Sequence, residues 1–152
     1  MSLNRFNLPS KKLRLRQNEG KVEVFDVLRK KWLILTPEEE VRQLFVHYMM
    51  EEKKYPAGLL ALEYSLKVNS LKRRADVVAF NHFGHPLLLV ECKAPSVKID
   101  QKVFDQIARY NLSMKVDYLI VTNGLEHFCC QLDFQNQKYY FLQDIPSYDE
   151  IV

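Results

Sequence analysis

Two short segments of this chain combine the composition of a buried strand with ionisable side chains. Residues 73–80 contain Asp76, and residues 87–95 contain Glu91 and Lys93. An unpaired charge in a core strand costs several kcal/mol, so such residues are seldom kept for stability. Strand alternation puts Glu91 and Lys93 on one face. Two carboxylates and a lysine at one sheet end are typical of a divalent-metal site that hydrolyses phosphodiester bonds.

The strands that must position these residues follow from the apolar runs. Three of them are expected to form an antiparallel meander, at 62–68, 74–81 and 86–92. A hairpin across residues 81–85 brings Asp76 to the same end of the sheet as Glu91. A buried strand at 118–122 should lie parallel to the third strand of the meander, because a helix connects the two.

Two helices carry capping signals. Thr36 is the expected N-cap of a helix over 36–52, with Pro37 at the first helical position and Glu39 completing a capping box. The side chain of Glu39 is therefore expected to point away from the apolar stripe of this helix. Asp100 should cap a second helix that runs to about residue 113. Four side chains of that helix are expected to face inward: Val103, Phe104, Ile107 and Tyr110.

The remaining segments complete a single domain over residues 1–152, because no repeat, linker or low-complexity tract interrupts the chain. Within the N-terminal 35 residues, short strands are expected at 12–17 and 22–26, around an Asn-Glu-Gly turn, and at 32–35. A helical turn at 59–62 should connect the first helix to the meander. Strands at 127–132 and 138–143 should complete a sheet core over 62–143. This is the α/β class, with a mixed β-sheet flanked by helices.

Basic residues concentrate in two places. Residues 1–35 carry nine bases and three acids, a net charge of +6, whereas the whole chain carries +3. A second cluster, Lys72, Arg73 and Arg74, directly precedes Asp76. Such patches suit a phosphate backbone. For the N-terminal stretch, solvated side chains on exposed strands are an equally good interpretation.

The sequence resembles the PD-(D/E)xK nuclease superfamily, and more closely the N-terminal nuclease domain of the restriction subunit of type I restriction enzymes. Four blocks carry this resemblance in the family's order: 35–43, 74–76, 90–95 and 106–111. The superfamily name has Pro before the metal-binding Asp, where Ala75 stands here, and this change removes no ligand. The resemblance implies a restriction-endonuclease-like fold and Mg²⁺-dependent DNA hydrolysis that leaves 5′-phosphate ends, with Mn²⁺ able to substitute.

The resemblance also implies roles for individual residues. Asp76 and Glu91 would hold the metal, together with the backbone carbonyl of Cys92. Lys93 would orient or deprotonate the attacking water. Glu38 lies at the edge of the apolar stripe of the first helix and could reach the metal through water. The alternative for Glu38 is stabilisation of the first helical turn through the helix dipole.

Gln106 and Tyr110 lie four residues apart on one helical face and resemble a Gln-x-x-x-Tyr motif that borders the active site in related nucleases. They would position DNA or Lys93, and Arg109 is a candidate phosphate contact. The alternative is an ordinary amphipathic helix with a tyrosine at the edge of the core.

Several features are missing from the sequence. It has no apolar run long enough to span a bilayer and no secretory signal, and three cysteines build no disulfide framework, so a cytoplasmic location is expected. None of its four glycines belongs to a G-x-x-x-x-G-K-[ST] motif, so neither ATP nor a translocating motor is expected. The expected partners are DNA and other restriction-system subunits. A second hypothesis remains open: a non-catalytic DNA-binding or assembly module with a nuclease fold.

Overall fold

The N-terminal part of the chain forms a small antiparallel sheet that precedes the main body. A computed structural model describes residues 5–152, so residues 1–4 of the predicted domain lie outside the described part. The three strands of this sheet pair in sequence order: β1 (Leu15–Asn18), β2 (Lys21–Asp26) and β3 (Lys31–Ile34). Val24 is fully buried on one face of the sheet. The predicted hairpin at residues 18–20 is confirmed.

Helix α1 (Pro37–Glu51) follows directly after β3. The Thr36 side chain accepts a hydrogen bond from the backbone N–H of Glu39 at 3.0 Å, which confirms the N-cap. The reciprocal half of the capping box is wrong: the Glu39 carboxylate accepts from Arg42 Nε at 2.9 Å instead. Glu39 is buried and does not point away from the protein interior. Gln43 also donates a hydrogen bond to it and links it to Asp26 of the small sheet.

A six-stranded mixed sheet forms the centre of the fold. After a single 3-10 turn at Ala57–Leu59, its first three strands are β4 (Leu60–Val68), β5 (Leu71–Phe80) and β6 (Pro86–Cys92). Helix α2 (Gln101–Leu112) then leads to β7 (Tyr118–Thr122), β8 (His127–Asp133) and β9 (Lys138–Leu142), and helix α3 (Tyr148–Ile151) ends the chain. The strands lie in sequence order, and only the β6–β7 pair is parallel. The predicted meander and parallel pair are confirmed.

The sheet separates two apolar layers. Val41, Phe45 and Met49 of α1 pack on one face, and Phe104, Ala108 and Leu112 of α2 pack on the other. The inward face of α2 differs from the prediction at Tyr110, which is 56% exposed. In β4 the backbone φ is +52° at Glu63, and the side chains change layer there: Leu62 packs on the α1 side, whereas Leu66 packs on the α2 side.

Candidate active site

The structure brings Asp76 beside the segment that contains Glu91 and Lys93. β5 and β6 pair with Val77 opposite Val90, so the residue before Val77 lies next to the end of β6. The Asp76 Oδ2 atom accepts a hydrogen bond from the backbone N–H of Cys92 at 2.7 Å. The Cys92 side chain itself is buried in the α1 layer, so strand alternation directs Glu91 to the opposite face.

Lys93 and Glu38 approach Asp76 from two further elements. The backbone N–H of Lys93 donates to Thr122 O at 2.8 Å, which holds the residue after β6 against the end of β7. Glu38, in the first turn of α1, interacts electrostatically with Asp76 and Lys93. Partial burial, and then the negative charge of Asp76, raise the pKa of Glu38 above its ordinary value. The structure therefore places these three ionisable groups in one site.

Asp76 is a largely buried carboxylate whose ionised form is disfavoured. Burial raises its pKa, although the hydrogen bond from Cys92 N–H and the nearby Arg42 guanidinium oppose that shift. The Arg42 Nη1 atom lies 3.6 Å from Asp76 Oδ1. Two neighbouring carboxyl groups with raised pKa values, those of Asp76 and Glu38, mark a place where a further positive charge would be stabilising.

Glu91 is paired within the chain. It forms an ion pair with Arg73 of β5, and both side chains are mostly buried. The Arg73 guanidinium also lies 4.5 Å from the ring centre of Tyr110 on α2. Among the described residues, Arg73 Nε is buried without a hydrogen-bond partner. Tyr110 thus borders the candidate site through Arg73, although it is exposed and not part of the core.

A second ionic cluster borders the site, and the sequence did not reveal it. Arg42 of α1 forms ion pairs with Glu39 and Glu63, besides its approach to Asp76. Burial alone would lower the pKa of Arg42, but its hydrogen bonds to Glu39 and Glu63 raise it above its ordinary value. The Glu39–Arg42 spacing of three residues on a helix was the only available signal. Nothing in the sequence pointed to Glu63.

The remaining predicted contact residues lie on exposed surfaces. Arg74 is 67% exposed and pairs with Glu63 at 2.6 Å, and Lys72 is exposed near the start of β5. On α2, Gln106 is exposed, and Arg109 pairs with Asp105 at 3.1 Å. Arg73 and Arg74 therefore already have carboxylate partners, so they do not form a free basic cluster.

The oxygen-rich donor set suits a hard divalent cation. Within residues 5–152, no three His, Cys, Asp or Glu side chains converge as a preformed metal cage. Mg²⁺ does not require such a cage, because it commonly keeps several waters and binds through one or two carboxylates. Asp76, with a raised pKa and a position beside the Glu91–Cys92 peptide, offers the first of these carboxylates. Glu91 can offer the second only after its ion pair with Arg73 is broken.

Comparison with known proteins agrees with this architecture. Residues 37–146 match the family described as type I restriction enzyme R protein N terminus (HSDR_N). A solved fragment described as an HsdR subunit of a type I restriction enzyme from Vibrio vulnificus YJ016 superimposes with a TM-score of 0.53 at 19% identity. That match covers 77% of this chain and 24% of the other, so this chain spans about a quarter of the solved one. No curated protein sequence matches the chain.

The fold and site thus define a restriction-endonuclease-like domain of mixed α/β class. The chain belongs to the family of type I restriction enzyme R protein N-terminal domains. The family resemblance and the fold class predicted from sequence are both confirmed. No helix within the described residues is long and apolar enough to cross a bilayer.

The raised pKa of Asp76 predicts that this carboxyl group costs stability as the pH rises. Below the ordinary pKa of an aspartic acid, the folded and unfolded chains are both protonated. As pH rises through the higher pKa of the folded state, the folded chain must ionise a buried group, and stability is lost. Asp76→Asn keeps an oxygen for Cys92 N–H and cannot ionise. In metal-free buffer we expect it to melt at a higher temperature than wild type at neutral pH and at an equal one in acid.

The control for this melting series is Asp133→Asn. Asp133 has a pKa lowered chiefly by hydrogen bonds from Asn136, so its replacement should act in the opposite direction and lower the melting temperature at neutral pH. An Asp76→Asn difference that is constant from about pH 3 to about pH 7 would show that Asp76 is not the group that titrates.

Proposed function

We propose that this domain is a Mg²⁺-dependent deoxyribonuclease that hydrolyses phosphodiester bonds of DNA. The hydrogen bond from Cys92 N–H to Asp76 carries the proposal, because it joins the two segments of an Asp…Glu-x-Lys motif that are separated in the sequence. Asp76, Glu91 and the backbone carbonyl of Cys92 would hold the metal, with Glu38 acting through water. When bound, Mg²⁺ supplies positive charge for the phosphate and the leaving oxygen.

The protein's own groups divide the remaining work. The backbone of Lys93 is held by its bond to Thr122 O, and its side chain lies near Asp76, where its ammonium form can orient the attacking water or its neutral amine form can deprotonate it. Tyr110 keeps Arg73 next to Glu91 and could later support the bound DNA together with Gln106. Arg109, Lys72 and Arg74 would make outer contacts with phosphates. Their exposure permits such contacts, which would have to compete with the existing ion pairs of Arg109 and Arg74.

The cellular setting we propose is a restriction system in the cytoplasm, with other restriction subunits as partners and no ATP bound by residues 1–152. Free, buried thiols at Cys92, Cys129 and Cys130 suit a reducing compartment. The family membership supports the restriction context.

Arg73 is expected to compete with the metal for Glu91. Replacing it in the Arg73→Gln variant removes a positive charge and frees the carboxylate, so Mn²⁺ should bind about tenfold more tightly, on the order of 1.4 kcal/mol. Calorimetric titration of Mn²⁺ measures this affinity directly, without DNA or activity. Arg74→Gln is the matched control, because Arg74 pairs with Glu63 and is far more exposed.

An Arg73→Gln variant that binds Mn²⁺ no better than Arg74→Gln would mean that Glu91 is not a metal ligand. That result would favour the second candidate function, a DNA-binding or assembly module without catalysis. One observation supports this alternative: the Arg73–Glu91 pair already neutralises the proposed second ligand. Tight DNA binding with no metal-dependent cleavage of plasmid DNA would then be the expected behaviour.

A further inference from the structure

The small N-terminal sheet has two different faces. Part of its inner face is covered: Val24 is fully buried, and Asp26, on the same face, accepts a hydrogen bond from Gln43 Nε2 of α1 at 3.2 Å. The outer face carries the alternate residues of the same strands. Ile34 on this face is 51% exposed, and Arg14 and Arg16 are exposed as well. The sheet therefore presents its outer face to solvent.

Arginine and aromatic side chains alternate across that outer face. Arg14, Phe25 and Trp32 lie in one row, since the Arg14 carbonyl bonds Phe25 N–H and Phe25 pairs with Trp32. The Arg14 guanidinium lies 4.8 Å from the Phe25 ring centre and 5.2 Å from that of Trp32. Arg16 lies 4.3 Å from the Trp32 ring centre. Two guanidinium groups are thus held close to aromatic rings of the sheet; that of Arg14 forms no ion pair with the described residues, whereas Arg16 Nε donates to Glu23 Oε1 at 2.7 Å.

The charge of the chain is divided sharply between the N-terminal segment, which includes this sheet, and the rest. Residues 1–35 carry a net charge of +6, which leaves −3 for residues 36–152. Four of the nine bases pair with carboxylates, namely Arg5, Lys11, Arg16 and Arg29. The other five are exposed and form no ion pair with the described residues: Lys12, Arg14, Lys21, Lys30 and Lys31. The family match begins only at residue 37, so it assigns no role to this sheet.

We propose that the outer face of the N-terminal sheet is a docking surface for the phosphate backbone of duplex DNA. This inference rests on the proposed function in taking DNA as the ligand. Residues 36–152, with a net charge of −3, repel a polyanion, and the N-terminal segment that carries the small sheet supplies the missing attraction. Ile34 and Glu38 are four residues apart, which limits their separation to about 14 Å. The outer face therefore begins within about 14 Å of the first turn of α1, where Glu38 lies.

The experiment measures binding of a short fluorescein-labelled duplex to the full chain by anisotropy, in EDTA, from about 50 to about 200 mM salt. Each phosphate contact contributes about −0.9 to the slope of log K against log salt. Arg14→Gln/Lys21→Gln removes two unpaired charges of the outer face and should make the slope shallower by about two. Glu23→Gln frees Arg16 from its partner and should make the slope steeper by about one.

Two controls separate docking from general charge. Arg14→Lys/Lys21→Arg keeps both charges and should keep the wild-type slope. Lys115→Gln/Lys138→Gln removes two exposed charges from the loop after α2 and from β9, and should change the slope much less than the outer-face variant does. Equal slopes for the outer-face and distant variants would overturn the proposal. Binding of polyglutamate, with no binding of an uncharged polymer or of the duplex, would also overturn it, since this would indicate an acidic protein partner.

The outcome is distinguishable from failure of the nuclease proposal. Binding in EDTA needs neither metal nor cleavage. A domain that binds DNA through this face but never cleaves it would therefore support the docking surface and contradict only the nuclease proposal. Conversely, metal-dependent cleavage together with an unchanged salt slope in the outer-face variant would contradict the docking surface and support the nuclease proposal.

Discussion

Lys93→Ala is expected to reduce metal-dependent cleavage of plasmid DNA by about 10²–10⁴-fold, the usual contribution of a positioned acid or base. The Lys93 side chain would act directly on the attacking water, and the backbone bond of Lys93 to Thr122 does not depend on the side chain. The variant should therefore keep its circular dichroism spectrum and bind Mn²⁺ at least as tightly as wild type, because it loses a positive charge near Asp76. Initial rates of supercoil loss in Mg²⁺ give the measurement.

Lys98→Ala is the matched control for Lys93→Ala, because Lys98 is an exposed lysine of the same β6–α2 connection. It should cleave at the wild-type rate. Glu91→Gln completes the set, since it should lose cleavage and Mn²⁺ binding together, whereas Lys93→Ala loses cleavage alone. Wild-type rates in both Lys93→Ala and Glu91→Gln would reject the catalytic assignment.

The parts of this site that depend on local signals were predictable from the sequence. Asp76 meets the Glu91–Cys92 peptide because both belong to adjacent strands of one hairpin, and hairpin pairing follows from a short polar loop between apolar runs. The N-cap at Thr36 and the bounds of β6 were equally local. Such features need only the neighbouring residues to be specified.

Contacts between layers were not predictable in the same way. Helical projection gives the angle of Glu39 relative to the apolar stripe, but it does not reveal that the small sheet covers that side of α1 through Asp26 and Gln43. Likewise, Tyr110 is exposed because Arg73, on a different element, lies over its ring in place of core side chains. The positive φ of Glu63 inside a strand has no sequence signal, since glycine or asparagine would be expected there.

Arg42→Leu is expected to destabilise the fold by about 3–5 kcal/mol, the usual cost of removing one partner from a buried ionic cluster. Arg42 is only 10% exposed and neutralises Glu39, itself 10% exposed, while also pairing with Glu63 and approaching Asp76 at 3.6 Å. Without it, buried carboxylates lose their positive partner and must either stay desolvated as anions or take up protons. Urea unfolding at neutral pH measures the change in the free energy of unfolding.

The control for Arg42→Leu is Arg109→Leu, which removes the same charge from an exposed pair on α2. Arg109 is 60% exposed and meets Asp105 one helical turn away, a geometry worth about 0.3–0.5 kcal/mol. Because protonation relieves the stranded carboxylates, the stability lost in Arg42→Leu should shrink as the pH falls towards the ordinary pKa of glutamic acid. A loss as small as that of Arg109→Leu, or one independent of pH, would show that the Arg42 cluster is solvated and does not hold the first helix to the sheet.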